Sequence, residues 1–410
     1  MTKKQLAGKR GLEATHSGGR GEIFHDWFPY LEGFSRNFVV NIVEKYLPNA
    51  KLILEPFSGV GTTPISLAQM GISTKYCEVN PVLQHLVRIK AQSLSSDVAN
   101  ELISELNDFS GSLKKRLKSV KPDVAIKESY NNCFDKSVYF YEEALDSILR
   151  LKTIERGLNS PLKDYFSIAV YSSLLEGSLL KRAGDVRFKT EKDLLEGVPD
   201  ILGLVISKLN LIMSDLVTSV KIPKSIKLQF EVGDSKELNL KGGINADGVI
   251  TSPPYLNGTN YFRNTRLELW YSEIIKQSKD LRSLRDKAIT AGINDVSKQS
   301  GDVVLKEVKK YHKKITEVCY DSRIPKMIAA YFNDMKLVFL GIQKNIKKDG
   351  IVCIDIGDSI YSNIHIPTHL ILSDIAKSIG WILVDEVILR ERFSNNGSKL
   401  TQRLLIFKNA

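Results

Sequence analysis

The sequence predicts an α/β fold, an open sheet of buried strands with a ligand site on its carboxyl edge. Three stretches predict it. Lys51 to Pro56 (KLILEP) is a buried apolar strand that enters a glycine loop, Phe57-Ser58-Gly59-Val60-Gly61-Thr62-Thr63, followed by a helix through Ile65 to Met70 that Gly71 caps. Ser73 to Cys77 is a second strand, ending at Glu78-Val79-Asn80-Pro81. Asp247-Gly248-Val249-Ile250 is the apolar end of another, which runs into Thr251-Ser252-Pro253-Pro254-Tyr255. A strand, a glycine loop and a helix in succession bring backbone close to a nucleotide-like ligand at a helix N-terminus. Neither of two consecutive prolines has a backbone N–H to give a ladder, so the last of these strands stops there and a stiff turn forms at its carboxyl end.

Composition sets the outer bounds. A chain of 410 residues can bury a large core, and its length suggests two or three domains. A hydrophobic fraction of 43% and a charged fraction of 26% are those of a soluble globular protein. The net charge of +11 favours a polyanionic partner, nucleic acid first. Cys77, Cys133, Cys319 and Cys353 form no CxxC pair and the histidines no HExxH, so neither a disulfide scaffold nor a metal site is expected, and a reducing cytosol is the default. No uninterrupted apolar run reaches membrane-spanning length, so no membrane is expected. Residues 1–21 are read as a flexible basic segment without a signal-peptide core, with Lys3, Lys4, Lys9 and Arg10 free to touch phosphates.

Taken in order, His25-Asp26-Trp27-Phe28-Pro29-Tyr30 is an aromatic cluster ahead of a helix from Ser35 to Tyr46, which Pro48-Asn49 ends. The glycine loop lacks the third glycine of the dinucleotide fingerprint. Glu78, at the end of the second strand and 17 residues past Gly61, suits a ribose diol. Pro81 opens a helix to about Ser93. Residues 95–222 are mainly helical, and the basic run from Lys114 to Lys121 reads as a solvated helix face.

Within that region, Leu174 to Lys189 predicts a helix giving way to a loop, where Lys181, Arg182, Arg187, Lys189 and Phe188 suit phosphate contact with stacking. An ordinary surface loop is the other reading. Ile226 to Val232 is a strand ending at Gly233-Asp234-Ser235, where Asp234 either accepts a bond from an amino group on the ligand's base or caps the next helix. Asn257 to Tyr271 passes from a polar loop into an amphipathic helix, with Asn260, Arg263 and Arg266 placed to reach a substrate backbone. Residues 276–326 form a charged helical insertion or a mobile lid. A helix from Met327 to Ile346, a strand from Ile351 to Ile356 and a helix from Thr368 to Ile379 follow. Strands from Trp381 to Leu389 and Leu404 to Lys408 then pair as a hairpin.

The turn after the proline-stopped strand has a particular chemistry. Ser252 supplies a hydroxyl and Pro253 a carbonyl, while Tyr255 adds a flat ring. A planar amino-heterocycle stacks on that ring and gives both amino hydrogens to the two oxygens. Its nitrogen is drawn toward tetrahedral geometry, with the lone pair open to an electrophile. No covalent enzyme intermediate is needed. C5 methylation of cytosine uses a cysteine next to proline, and no Pro-Cys pair exists here.

Together these stretches resemble the amino-directed DNA methyltransferases that use S-adenosylmethionine (SAM). In that family the glycine motif commonly reads D-P-F-x-G-x-G-T-T, matched from Glu55 to Thr63, and the catalytic motif S/D/N-P-P-Y, matched by Ser252 to Tyr255. The resemblance covers about residues 22–94 and 226–272 plus the terminal strands. It implies a Rossmann-like seven-stranded fold with a reversed C-terminal hairpin. Residues 22–94 and 223–410 would form a discontinuous catalytic domain, with 95–222 a helical insertion and a candidate DNA-contacting or target-recognition region; which segment reads the target sequence stays open. Serine in the first catalytic position is typical of cytosine-N4 enzymes, and aspartate of adenine-N6 enzymes.

The resemblance also implies cofactor contacts at Trp27, Tyr30, Glu55, Phe57, Ser58, Gly59, Gly61, Thr62, Thr63, Glu78 and Asp234, and catalysis by Ser252, Pro253, Pro254 and Tyr255. Glu55 stands where the family has Asp, which moves the amino contact of SAM. The sulfonium activates the methyl group, so no metal is expected. The implied partner is double-stranded DNA in the cytoplasm, at the nucleoid, with a cognate restriction endonuclease acting separately. Adenine-N6 methylation, RNA base methylation and a silent nucleic-acid-binding subunit are the alternatives.

Overall fold

The computed structural model describes residues 11–95, 100–135, 137–183, 185–195, 197–238, 243–297, 301–394 and 397–410. Lys3, Lys4, Lys9 and Arg10 lie outside the described residues. The strands are, in chain order, β1 (Leu52–Glu55), β2 (Ser73–Tyr76), β3 (Leu180–Ala183), β4 (Asp185–Phe188), β5 (Leu228–Phe230), β6 (Ala246–Thr251), β7 (Ile346–Gly357), β8 (Ser359–Tyr361), β9 (Ile364–Ile366), β10 (Trp381–Phe393) and β11 (Lys399–Asn409). Seven of them form one sheet in the order β10-β11-β7-β6-β1-β2-β5. The pairs from β7 through β6, β1 and β2 to β5 are parallel, and β11 runs antiparallel to both β7 and β10.

The expected architecture is therefore present, a mixed α/β fold with a largely parallel sheet and a reversed final hairpin. Its central strands β1, β6 and β7 are mostly buried because helices cover both faces. One face packs on the Arg36–Tyr46 helix, and the other on the Arg323–Asn345 and Thr368–Ser378 helices. The chain leaves β1 toward β2 and β5, then returns to β6 on β1's other side, so the crevice between β1 and β6 is the switch point where such sheets take ligands.

The helices from Asn100 to Thr218 share one apolar core with the Pro81–Ser93 helix and with Phe262 to Leu281. Two expectations need correction here. Residues 11–21 are packed rather than loose: Ala14, His16 and Gly19 are buried, and Glu13 accepts from the Asn41 side chain and the Ser35 amide. The stretch after Leu174 is a hairpin, β3 on β4, because Leu180 and Val186 have a core to fill. Ile201–Thr218 is long and apolar enough by composition to cross a membrane. Two charges, Lys208 and Asp215, interrupt that apolar run, as the sequence reading has it. They hold the segment at its side: Lys208 donates to the Asp26 carbonyl, and Asp215 accepts from the Phe24 amide and the Trp27 indole.

Candidate active site

A cavity of about 320 Å³ opens at the carboxyl ends of the central strands. Phe57, Ser58, Gly59 and Thr62 of the glycine loop form one wall. Gly59 and Gly61 have φ of +51° and +86°, and a Cβ on Gly61 would stand 2.9 Å from Val87 Cγ2. The loop therefore lies flat on the Pro81–Ser93 helix only with glycine there. The Glu78 carboxylate accepts the Gly59 and Asn80 amides, each at 2.8 Å, which ties the loop to the end of β2. Burial pushes Glu78 up to about 7, against the pull of those amides.

The ring of Tyr30 closes over the loop, 3.2 Å from where a Gly59 Cβ would be. Beside it Glu32 lines the cavity. Its Oε1 accepts from Asn264 at 2.8 Å, while its Oε2 has no hydrogen-bond partner among the described residues and stands 3.6 Å from Arg182.

The facing wall is the turn after β6. The Tyr331 hydroxyl donates to the Pro254 carbonyl at 2.9 Å, and the Tyr255 amide donates to the Tyr261 hydroxyl at 3.2 Å, so two rings brace the prolines. The neighbouring Pro253 carbonyl accepts no hydrogen bond among the described residues. Ser252 Oγ is 3.4 Å from the Tyr255 hydroxyl. That hydroxyl is bonded to Asp355 and accepts from Gln402 at 3.0 Å, and Gln402 also donates to Asp355 at 2.9 Å. The Tyr255 ring is so close to Gly357 that a Cβ there would be 3.1 Å from Cδ2. Burial pushes Asp355 up to about 7, with Gln402 and Tyr255 pulling the other way.

Tyr30, Phe57, Ser58, Gly59, Thr62, Glu78 and the Ser252–Tyr255 turn thus meet in one cavity. Trp27, Glu55, Gly61, Thr63 and Asp234 do not line it. Trp27 is fully buried and packs edge-on against Tyr165. Glu55 accepts the Phe57 amide at 2.9 Å and the Thr251 hydroxyl, clamping β1 to β6, and burial pushes it up to about 7. Gly61 faces Val87 of the Pro81–Ser93 helix, and Thr63 is buried in the first turn of the helix that follows the loop. Asp234 caps the Ser235–Glu237 turn and pairs with Lys236 at 3.3 Å; its neighbour Ser235 reaches the cavity instead.

The residues expected to meet nucleic acid are mostly tied down. Lys181 and Arg187 both pair with Asp193, at 2.8 and 2.9 Å. Lys189 donates to the carbonyls of Glu176 and Ser178. The Arg182 side chain is 9% exposed and faces Glu32. Arg266 donates to the Cys133 carbonyl and lies over Phe134, and Asn260 caps the short helix that begins at Tyr261. Arg263 is exposed, 3.9 Å from Asp185. Part of the 276–326 stretch reaches the cavity. Lys287, Ala288 and Ile289 line the cavity, held by Lys236 through the Lys287 and Ala288 carbonyls and by Asp334 through Thr290.

Asp355, Gln402, Glu32, Tyr261 and Tyr331 were not singled out in the sequence. Asp355 had a signal, a lone acid inside the apolar run Ile351 to Ile356. Gln402 and the tyrosines had none. Among the described residues no group of three or more His, Cys, Asp or Glu could hold a metal.

Over nearly its full length the chain is similar to Type II methyltransferases. It is 23% identical to Type II methyltransferase M.BsoBI of Geobacillus stearothermophilus, an alignment covering 94% of this chain and 84% of that protein. It is 22% identical to Type II methyltransferase M.AvaI of a Nostoc strain and to its namesake in Anabaena variabilis, covering 91% of this chain and 82% of each. No family model matches. The rRNA methyltransferase aviRa from Streptomyces viridochromogenes aligns with 93% of this chain and 87% of its own at 8% identity and a TM-score of 0.33, too slight a likeness to carry an argument.

Proposed function

We propose that this chain is a SAM-dependent DNA methyltransferase with a Rossmann-like fold. It transfers a methyl group to the exocyclic N4 of cytosine in duplex DNA, in the cytoplasm, as the modifying half of a restriction–modification pair. One observation carries the reading. The Pro253 carbonyl, which accepts no hydrogen bond among the described residues, the Ser252 hydroxyl and the Tyr255 ring line one cavity with the glycine loop. The similarity to M.BsoBI and M.AvaI supports it, and serine at 252 favours N4 of cytosine.

The residues present fit the cofactor. A cavity of about 320 Å³ is within the range of small-molecule sites. Glu78 would hold the ribose hydroxyls and the backbone at Gly59 the methionine end. Glu55 is committed to Phe57 and Thr251, so the acid for the α-ammonium shifts to Glu32, which lines the cavity with Oε2 held by no hydrogen bond among the described residues and only an ion pair to Arg182 at 3.6 Å. Bound SAM supplies an electrophilic methyl group.

The target cytosine must leave the helix to reach the recessed turn. Ser252 and the Pro253 carbonyl take its two amino hydrogens, and Tyr255 supports the ring. Transfer leaves one proton to remove from the nitrogen. Ser252 Oγ accepts it while the Ser252 hydrogen passes to Tyr255 and the tyrosine hydrogen to Asp355. With Asp355 pushed up to about 7, that carboxylate can take a proton near neutral pH. Rate gain otherwise comes from positioning and preformed dipoles.

Incubation with methyl-tritiated SAM tests the proposal. Label should enter duplex DNA and not tRNA, and Ser252→Ala should abolish it. Label in tRNA alone, or none in either, would refute it.

A further inference from the structure

We infer that the Lys309–Val318 helix is a phosphate-contacting face that seats duplex DNA beside the cleft, an inference that rests on the DNA reading above. Lys309, Lys310, Lys313 and Lys314 recur at helical spacing on one side and are all exposed. The other side is anchored, with Val308 and Ile315 fully buried in the core that also holds the Arg323–Asn345 helix. None of the four lysines pairs with a carboxylate among the described residues. The ion pairs on either side of them, Lys306–Glu307 at 4.0 Å and Arg323–Asp321 at 2.7 Å, leave them out.

Like charges one turn apart repel. A packed helix that keeps four of them is completed by a polyanion. Lys181 and Arg187 of the β3–β4 hairpin, by contrast, share the Asp193 carboxylate.

Position decides which polyanion. The lysine helix packs on β9. Tyr361 of the adjoining β8 puts its hydroxyl 3.7 Å from the Cβ position of Gly258, in the loop that continues the catalytic turn. Tyr311 and Tyr361 pack against the same apolar cluster as Tyr255. Tyr320, just past the helix, is 82% exposed. The lysine helix thus stands on the hairpin whose Tyr361 reaches the loop after the catalytic turn, where a strand flanking an extruded nucleotide would pass.

The test uses the full chain with Lys309, Lys310, Lys313 and Lys314 changed together to alanine, a better helix former, so folding is retained. A hairpin control carries Lys181→Ala and Arg187→Ala. Binding of a fluorescent duplex is followed across a salt series, with SAM binding measured in parallel. The quadruple variant should lose at least about tenfold in DNA affinity, and its log–log salt slope should be shallower by about 0.9 for each phosphate no longer neutralised. SAM affinity and the hairpin control's slope should stay at wild-type values.

A quadruple variant with wild-type affinity and slope overturns the inference alone, as does a slope change confined to the hairpin control. A wild-type chain that binds an RNA hairpin through these lysines and ignores duplex DNA overturns both the inference and the reading beneath it.

Discussion

The two walls of the cleft are built differently. The proposed cofactor wall is local: Glu55, the glycine loop and Glu78 fall within 24 consecutive residues, and Glu78 holds the loop through the Gly59 amide. The catalytic wall is assembled from afar. The Ser252–Tyr255 turn is braced by Tyr261, Tyr331, Asp355 and Gln402, which come from four separate elements. A local wall shapes a pocket that any member of a cofactor-using fold needs. A long-range wall fixes two oxygens and a ring to a tolerance that only a complete, folded domain supplies.

Mutation should pull the two walls apart, and a failure to do so would remove the distinction between them. Ser252→Ala and Tyr255→Ala should each cut the turnover number at least 100-fold, the cost of losing a preformed electrostatic interaction, with SAM affinity by calorimetry unchanged. Glu78→Ala should do the reverse. Losing the Gly59 tether and the ribose acid raises the SAM dissociation constant by about 10–100-fold while turnover at saturating SAM falls far less.

Asp355→Asn probes the catalytic wall from within. Wild-type turnover at saturating substrates should rise with pH through about 7 as Asp355 ionises, and the variant should be flat across that range, roughly tenfold lower at pH 8. The smallest effect belongs to Glu55, the clamp between the walls. Burial raises it to about 7, so its contribution to stability is complete below its ordinary value of 4.5 and is lost as pH rises through 7. Glu55→Gln should make the urea midpoint fall less steeply between pH 5 and 8, with Glu78 and Asp355 supplying the remaining slope, while leaving SAM affinity near wild type.

The same contrast explains what the sequence disclosed. Strand, loop and acid at 51–81 are legible because a tight βα turn demands glycine at positive φ, and two prolines must end a strand. Glu55 shows the limit of a motif, since the sequence places it at the ligand while burial and Thr251 turn it into a clamp. Lys181 and Arg187 look like phosphate contacts until the hairpin carries them to Asp193. Gln402 had no chance of being found, because its partners lie 47 and 147 residues away. Charge can be counted along a chain, but whether it is neutralised is settled by packing.

The identity of the methylated nucleoside decides whether the serine turn works as described. DNA treated with the protein and methyl-labelled SAM is digested to nucleosides and resolved by mass spectrometry. N4-methyl-2′-deoxycytidine should carry the label. N6-methyl-2′-deoxyadenosine or 5-methyl-2′-deoxycytidine in its place would contradict the proposed chemistry.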